Sequence, residues 1–300
     1  MTLKASDFKK VTLADKKIFS EYFSKYPQSH SEATFGTIFC WEHYSPCKYA
    51  LIDNHLIVAC AEPGNLSYRP PIGEFSAELF EDFLSFAIAN GGDCPVEFPN
   101  AQYIDYMKEH HPELPIYPER GYFEYYYRTS NLAELRGKKY LNIRGQINSF
   151  KSHYYYNVEK ITPYNVEDVK SMIDEWEKSK PLEKTPMMKG DAEAVMRALE
   201  NMSALGFEGI AIRVGDKICA GALWEELNKE AVDIHFEKGL TDYEGIYKII
   251  NQETAKFLLG RYEWINRESD VNEPGLREAK MRYHPSKFAE YYYISRADIL

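Results

Sequence analysis

Glu124-Tyr125-Tyr126-Tyr127 returns 166 residues later as Glu290-Tyr291-Tyr292-Tyr293, and the same gapless offset aligns Glu97 with Glu263 and Asn100 with Asn266. The periodicities around the two copies extend the reading. In the second half a strand is expected over 154–161. A helix follows, with Val166, Val169, Met172, Ile173 and Trp176 at helical spacing behind Asn165. A second helix over 191–205 stops at Gly206. Strands over 207–214 and 217–227 flank the hairpin signal Gly215-Asp216, and a third strand runs over 230–238. A helix over 243–259, a strand over 262–266, a short helix over 276–282 and a strand over 288–295 complete the order. The first half repeats its latter part: a strand-rich stretch over 37–61, a helix over 75–89, a strand over 95–98, a short helix over 103–109 and a strand over 122–129.

The 300 residues suit about two domains. With 44% hydrophobic and 27% charged residues, 17 Gly and 15 Pro, the composition is that of a globular protein and excludes a low-complexity or collagen-like chain. No apolar run nears the roughly 18 residues of a spanning helix, and the lysine-studded start has no apolar signal core, so a cytoplasmic protein is expected. Cysteines 40, 47, 60, 94 and 219 form no Cys-x-x-Cys pair, so neither a disulfide framework nor a zinc ribbon is indicated, and they read as small buried hydrophobes. The net charge of −10 opposes indiscriminate contact with nucleic acid or anionic lipid. Residues 136–151 are the exception, carrying Arg136, Lys138, Lys139, Arg144 and Lys151 without an acid.

Strict alternation over 230–238 sets Val232, Ile234 and Phe236 on one face and Asp233, His235 and Glu237 on the other. A polar face on a central strand marks a cleft in which His235 accepts a proton, or else a hydrogen-bonded structural histidine. Asn266, Arg267, Glu268 and Asp270 close a strand, where α/β sites commonly lie. Arg267 suits a phosphate or carboxylate, or an ion pair with Glu268. Arg277 and Lys280, three apart, share a helix face that binds phosphate or is merely solvated. Arg144 and Asn148 share another, beside Ile147 and Phe150, so that this helix is either an inter-domain staple or a nucleic-acid contact. The adjacent pair His110-His111 diverges on a helix and makes a poor metal site. No metal is expected. Phosphate-loop, zinc-protease and nucleophile-elbow motifs are absent.

The element order resembles the GCN5-related N-acetyltransferase (GNAT) fold. Two such units joined by a basic helix resemble the aminoacyl-tRNA-dependent transferases that extend peptidoglycan bridges or aminoacylate lipids. The segment 275–285, with Lys280, Tyr283 and Pro285 followed by Tyr291, is similar to the C-terminal signature of bacterial lysylphosphatidylglycerol synthases. Asn266-Arg267-Glu268-Ser269-Asp270 and the Tyr140, Arg144, Asn148 and Phe150 spacing resemble a bacterial branch grouped with that domain.

The resemblance implies an α/β (α+β) fold of two tandem GNAT-like units, each a mixed, mostly antiparallel sheet flanked by helices. Its expected limits are 1–137, a linking helix over 138–153, and 154–300 with the active cleft. It further implies an acyltransferase that moves an aminoacyl group from aminoacyl-tRNA to an amine- or hydroxyl-bearing acceptor, such as a lipid head group or peptide. Catalytic roles are expected for His235, Glu268 and Lys280, and substrate contacts for Arg144, Asn148, Asn266, Arg267, Asp270, Arg277 and Tyr283. No tightly bound cofactor is expected, and the partners are tRNA through the basic patch and a peripheral acidic lipid. Lys287 and Glu290 stand where the lipid synthases tend to carry Trp and Arg, which argues against phosphatidylglycerol as acceptor. A CoA-dependent enzyme would show a glycine-rich loop that holds pyrophosphate on main-chain N–H groups. Residues 241–247 offer one glycine, with Asp242 and Glu244 beside it. Acyl-CoA-dependent N-acyl transfer and non-catalytic ligand binding stand as the alternatives.

Overall fold

Alternating and continuous apolar runs form the strands, and amphipathic segments cover them. The computed structural model describes residues 3–99, 101–179 and 186–299, so Asn100 of the repeat lies outside it. The strands are β1 (Lys9–Lys10), β2 (Cys47–Ile52), β3 (His55–Glu62), β4 (Asn65–Ile72), β5 (Val96–Phe98), β6 (Ile116–Pro118) and β7 (Glu124–Arg128), then β8 (Tyr156–Lys160), β9 (Glu208–Val214), β10 (Lys217–Glu226), β11 (Ala231–Gly239), β12 (Trp264–Asn266), β13 (Lys287–Ala289) and β14 (Tyr292–Ile294).

They make two seven-stranded mixed sheets, ordered β1-β2-β3-β4-β5-β14-β6 and β8-β9-β10-β11-β12-β7-β13. The orders correspond strand for strand. In each, antiparallel neighbours lead to one parallel pair, β4 with β5 and β11 with β12. The two tyrosine strands are equivalent but exchanged: β7 of the first half pairs with β12, and β14 of the second pairs with β5. Tyr126 faces Asn266 while Tyr292 faces Phe98, which at the offset of 166 is a slip of two residues. An even slip keeps every side chain on its face. The internal repeat is therefore a repeat of structure.

The exchange makes the compact units discontinuous. One comprises Met1–Glu124, Ser269–Glu273 and Ala289–Leu300, the other Tyr125–Glu268 and Pro274–Phe288. The limits expected from the sequence, at 137/138 and 153/154, instead follow the chain. The basic helix Leu141–His153, expected as a linker, packs Ile143, Ile147 and Phe150 into the core of the second unit.

In the first unit, Ser76 caps the helix Ala77–Asn90, its hydroxyl accepting from Leu79 N at 3.3 Å, and the helix buries Leu79, Phe80, Phe83, Leu84 and Ala87. The stretch 37–61 is strand only from Cys47. Before it, Thr34 caps the short helix Phe35–Cys40, a local hydrogen bond that outweighs the β propensity of its residues. Cys47 and Cys60 face each other across β2 and β3 and form a disulfide, which corrects the expectation of five unpaired cysteines. Their juxtaposition comes from hairpin register rather than from a spacing motif. Cys40 and Cys219 are buried, as expected.

In the second unit, Gly215, at φ +58°, turns the hairpin between β9 and β10. The helix Val166–Lys178 buries Val169, Met172, Ile173 and Trp176 against one face of the sheet. The helix Ile246–Leu258 buries Ile246, Ile249, Ile250, Ala255 and Leu258 in the core on the other.

Ile294 in β14 is fully buried. Ile294→Ala is expected to cost about 2–5 kcal/mol in urea unfolding, despite lying close to the end of the chain. A cost below about 1 kcal/mol, as for an exposed tail, would contradict the exchanged strand.

Candidate functional site

On β11, Asp233 lies opposite Glu225 of β10 and Ile234 opposite Trp224, but the next pair is Phe236 opposite Leu223. His235 is therefore a bulged residue, and a bulge inverts the alternation beyond it. This corrects the strict alternation expected from the sequence. Val232 and Ile234 share the core face with Ala222 and Trp224, and Asp233 shares the opposite face with Glu225. Past the bulge, Phe236 moves to the face of Leu223, and Glu237, opposite Ala222, moves to the core face.

The bulge aims a buried imidazole at three acids. His235 Nε2 lies 2.9 Å from Glu225 Oε1, and Nδ1 lies 3.0 Å from Glu268 Oε1 and 3.5 Å from Asp233 Oδ2. Phe207 stacks on the ring at 5.0 Å. Burial works to discharge the imidazole. The negative field of Asp233 and the hydrogen bonds to Glu225 and Glu268 outweigh it, and hold the pKa well above the ordinary value. His235 is thus a charged anchor for carboxylates at neutral pH rather than a free base. Donor atoms of Asp233, His235 and Glu268 all lie within 4.8 Å of one another, the spacing of a metal-ligand set. Glu225 went unnoticed in the sequence, and Asp233 was read only as a member of the polar face of the strand, because no periodicity links 225, 233 and 268.

Parallel pairing of β11 with β12 ends at Asp233 opposite Asn266, so the two strands part where Arg267 and Glu268 emerge. Asn266, fully buried, accepts from Glu268 N at 2.9 Å and holds Glu268 at φ +55°, a conformation that is costly for a residue with a Cβ. The two emerging side chains diverge. Glu268 goes to His235, whereas Arg267 turns to the core face, where Nη2 donates to Glu237 Oε1 at 2.8 Å and the guanidinium lies 4.9 Å from the Tyr283 ring. Asn251 donates to Glu237 Oε2 at 3.1 Å. Burial, and next the positive charge of Arg267, depress the pKa of Lys248, which lies 5.1 Å from the same tyrosine ring. Lys248 and Asn251 are further members that the sequence did not single out, and Glu237, expected on the face of His235, is a third.

Lys280 joins the two corners without entering either. Its ammonium donates to the main-chain oxygens of Arg267 at 2.5 Å and Glu268 at 3.0 Å, and it is buried. The expected active cleft, with His235, Glu268 and Lys280 in catalytic roles and Arg267 in substrate contact, is corrected accordingly. Lys280 meets the main chain of Arg267 and Glu268, but the side chains of those two leave on opposite faces of the sheet. Tyr283 is buried against Arg267, and Arg277, half-buried, shares the helix Pro274–Met281 with Lys280.

Three expected contacts fall elsewhere. Asp270 belongs to the first unit, where its carboxylate accepts from Arg120 at 3.1 Å. Arg144 spends its guanidinium on the main-chain oxygens of Leu135 at 2.5 Å and Gly137 at 2.7 Å, bracing a loop. Asn148 is exposed, as are Arg136, Lys138, Lys139 and Lys151.

His235→Gln tests the anchor by pH. The folded-state pKa is raised, so the stabilisation is complete below the unfolded value of about 6.5 and is lost as pH rises through the folded value. The deficit of the variant in urea unfolding is therefore expected to be largest near pH 6 and to shrink through the alkaline range. A deficit independent of pH would refute the charged form. Lys280→Met is expected to cost at least about 1.5–3 kcal/mol, because two carbonyls lose a charged donor; near-wild-type stability would contradict the brace.

The sequence profile described as "Phosphatidylglycerol lysyltransferase, C-terminal" matches residues 23–295. A conserved protein of unknown function from Bacteroides thetaiotaomicron is 28% identical, with a TM-score of 0.88 over 96% of this chain and 98% of that one. The C-terminal domain of a protein named a lysylphosphatidylglycerol synthetase from Agrobacterium fabrum is 14% identical, with a TM-score of 0.63 over 95% and 93%. L-PGS from Bacillus licheniformis is also 14% identical at 0.63, over 94% and 92%. No curated protein matches the chain. The fold is the tandem GNAT-like pair of units expected from the sequence.

Proposed function

Since the chain belongs to the family of phosphatidylglycerol lysyltransferase C-terminal domains, we propose that it is an aminoacyltransferase, moving an aminoacyl group from aminoacyl-tRNA to an amine- or hydroxyl-bearing acceptor. The reading is carried by the parting of β11 and β12 at Asp233 and Asn266, where Glu268 emerges partly exposed, its side chain 29% accessible. The acceptor's nitrogen or oxygen attacks the ester carbonyl, and the tetrahedral intermediate expels the tRNA ribose oxygen. The acceptor's proton passes to Glu268 and then to that leaving oxygen, so charge and atoms balance. His235 and Asn266 hold Glu268 in place, and Lys280 holds the strand end from which it projects. Arg267, paired with Glu237, and Tyr283, buried beside it, support the strand end from the core face. The exposed cations of the helix Leu141–His153 and the loop before it suit a tRNA backbone or acidic head groups, whose attraction is chiefly electrostatic. No helix among the described residues is long and apolar enough to cross a membrane.

Acyl-CoA is the less suitable donor. The turn that would cradle its pyrophosphate runs through Gly245, at φ +88°, where a Cβ would meet Gln146 O at 2.9 Å and Phe150 Cβ at 3.2 Å. A carbonyl oxygen and the exposed acids Asp242 and Glu244 therefore stand where an anion would have to come.

Transfer of radiolabel from bulk charged tRNA to amine or lipid acceptors is expected with wild-type protein and reduced about 10²- to 10⁴-fold in Glu268→Gln. Full activity in that variant would remove Glu268 from the chemistry. Calorimetry is expected to find acetyl-CoA binding weak; tight binding would transfer the assignment to acyl-CoA-dependent N-acyl transfer. Failure of both donors, with a ligand that nevertheless stabilises the protein, would favour a binding module.

A further inference from the structure

We propose that Asp233, His235 and Glu268 form a binding site for one divalent transition-metal ion of the zinc class. The observation is positional. Within the second unit, His235 Nδ1 lies 3.0 Å from Glu268 Oε1 and 3.5 Å from Asp233 Oδ2, and donor atoms of all three residues lie within 4.8 Å of one another. Ligands about 2.0–2.2 Å from a tetrahedral zinc are separated by about 3.3–3.5 Å, so an ion fits this set with small shifts of the two carboxylates.

The fourth acid has a distinct part. Glu225 accepts the Nε2 hydrogen of the same ring at 2.9 Å, so that an ion displacing the Nδ1 proton would meet the Nδ1 lone pair between Asp233 and Glu268. A carboxylate behind the ligating imidazole fixes tautomer and ring orientation at metal sites. Phe207, stacked on the ring at 5.0 Å, supplies an apolar wall. Charge agrees as well: a dication in place of the Nδ1 proton neutralises Asp233 and Glu268 together, where a proton offsets only one of them. Asp233 and the His235 side chain are almost wholly buried, but Glu268 is 29% exposed and gives the ion its way in from solvent. One imidazole with two carboxylates favours Zn²⁺ over Mg²⁺, which keeps its water and prefers all-oxygen octahedra.

The assignment takes as a ligand the carboxylate that the transferase reading uses as proton acceptor, and its test measures metal rather than turnover, so that the two can fail separately. Metal-stripped full-length protein is titrated with Zn²⁺ against a chromophoric chelator. Wild type is expected to take up one tight equivalent that Mg²⁺ does not displace. Glu225→Gln is expected to weaken it about 10- to 100-fold, and Glu268→Gln by at least as much, each variant being checked for native circular dichroism. His111, which contacts Glu81 and Glu113, is the rival ligand set, and His111→Ala is expected to leave the tight equivalent intact. Should the acidic variants fail to fold, X-ray absorption of zinc-loaded wild type decides. Nitrogen and oxygen donors at about 2.0–2.2 Å are expected, and a sulfur shell would overturn the site. No tight equivalent in wild type, or one that survives Glu268→Gln or disappears in His111→Ala, would equally overturn it.

Discussion

At His235, β11 carries one residue more than β10 can pair, and the charged interior of the second unit is arranged by that excess. Without the bulge, Asp233, His235 and Glu237 would share a face, and Glu237 would lie across the sheet from Arg267. With it, Glu237 crosses to the core face and meets Arg267, while Asp233 stays with His235 and Glu225. Glu225 and Glu268 thereby meet the imidazole, and Glu237 the guanidinium, at hydrogen-bonding distance, which favours keeping such charges inside a low-dielectric interior. The same residue position places an imidazolium, or a metal-ligating imidazole, beside the carboxylate that emerges where β11 and β12 part.

The strand end answers the bulge. Arg267 and Glu268 are consecutive, yet their side chains serve opposite faces, and Glu268 must adopt a positive φ to do so. Three contacts hold that conformation: the Asn266 side chain on Glu268 N, the Lys280 ammonium on two carbonyls, and the pairing of Arg267 N with Tyr125 O at 3.1 Å. A loop strained and braced in this way is preorganised, which is useful where a carboxylate must meet a reacting group without first being ordered. Lys280 was expected among the reacting groups because of its place in the family-like segment. Its structural position makes it a positioning residue acting through the main chain.

The periodicities of the sequence were enough for most of the architecture. Apolar residues at helical spacing marked the helices at Ala77–Asn90, Val166–Lys178 and Ile246–Leu258. Gly215-Asp216 marked a hairpin, and the recurrence of Glu-Tyr-Tyr-Tyr marked two equivalent strands. These are signals between near neighbours, or between two copies of one pattern, and they are decided by local sterics and by which side of an element must leave water. The segment 266–283 likewise named residues that the fold does gather, Asn266, Arg267, Glu268, Lys280 and Tyr283.

What only the tertiary structure decided concerns partners distant in the chain. The exchange of β7 and β14, the Cys47–Cys60 bond, the bulge at His235 and the meeting of Glu225 with residues 233 and 268 all depend on register between strands. Register is a collective property. One residue of slip costs little in local propensity but turns every later side chain to the other face, so it is settled by the packing of the whole sheet and its covering helices. The sequence by itself therefore determined the elements, the repeat and the residues brought to the strand end; the pairing of the sheets determined which face each charge occupies and whom it meets.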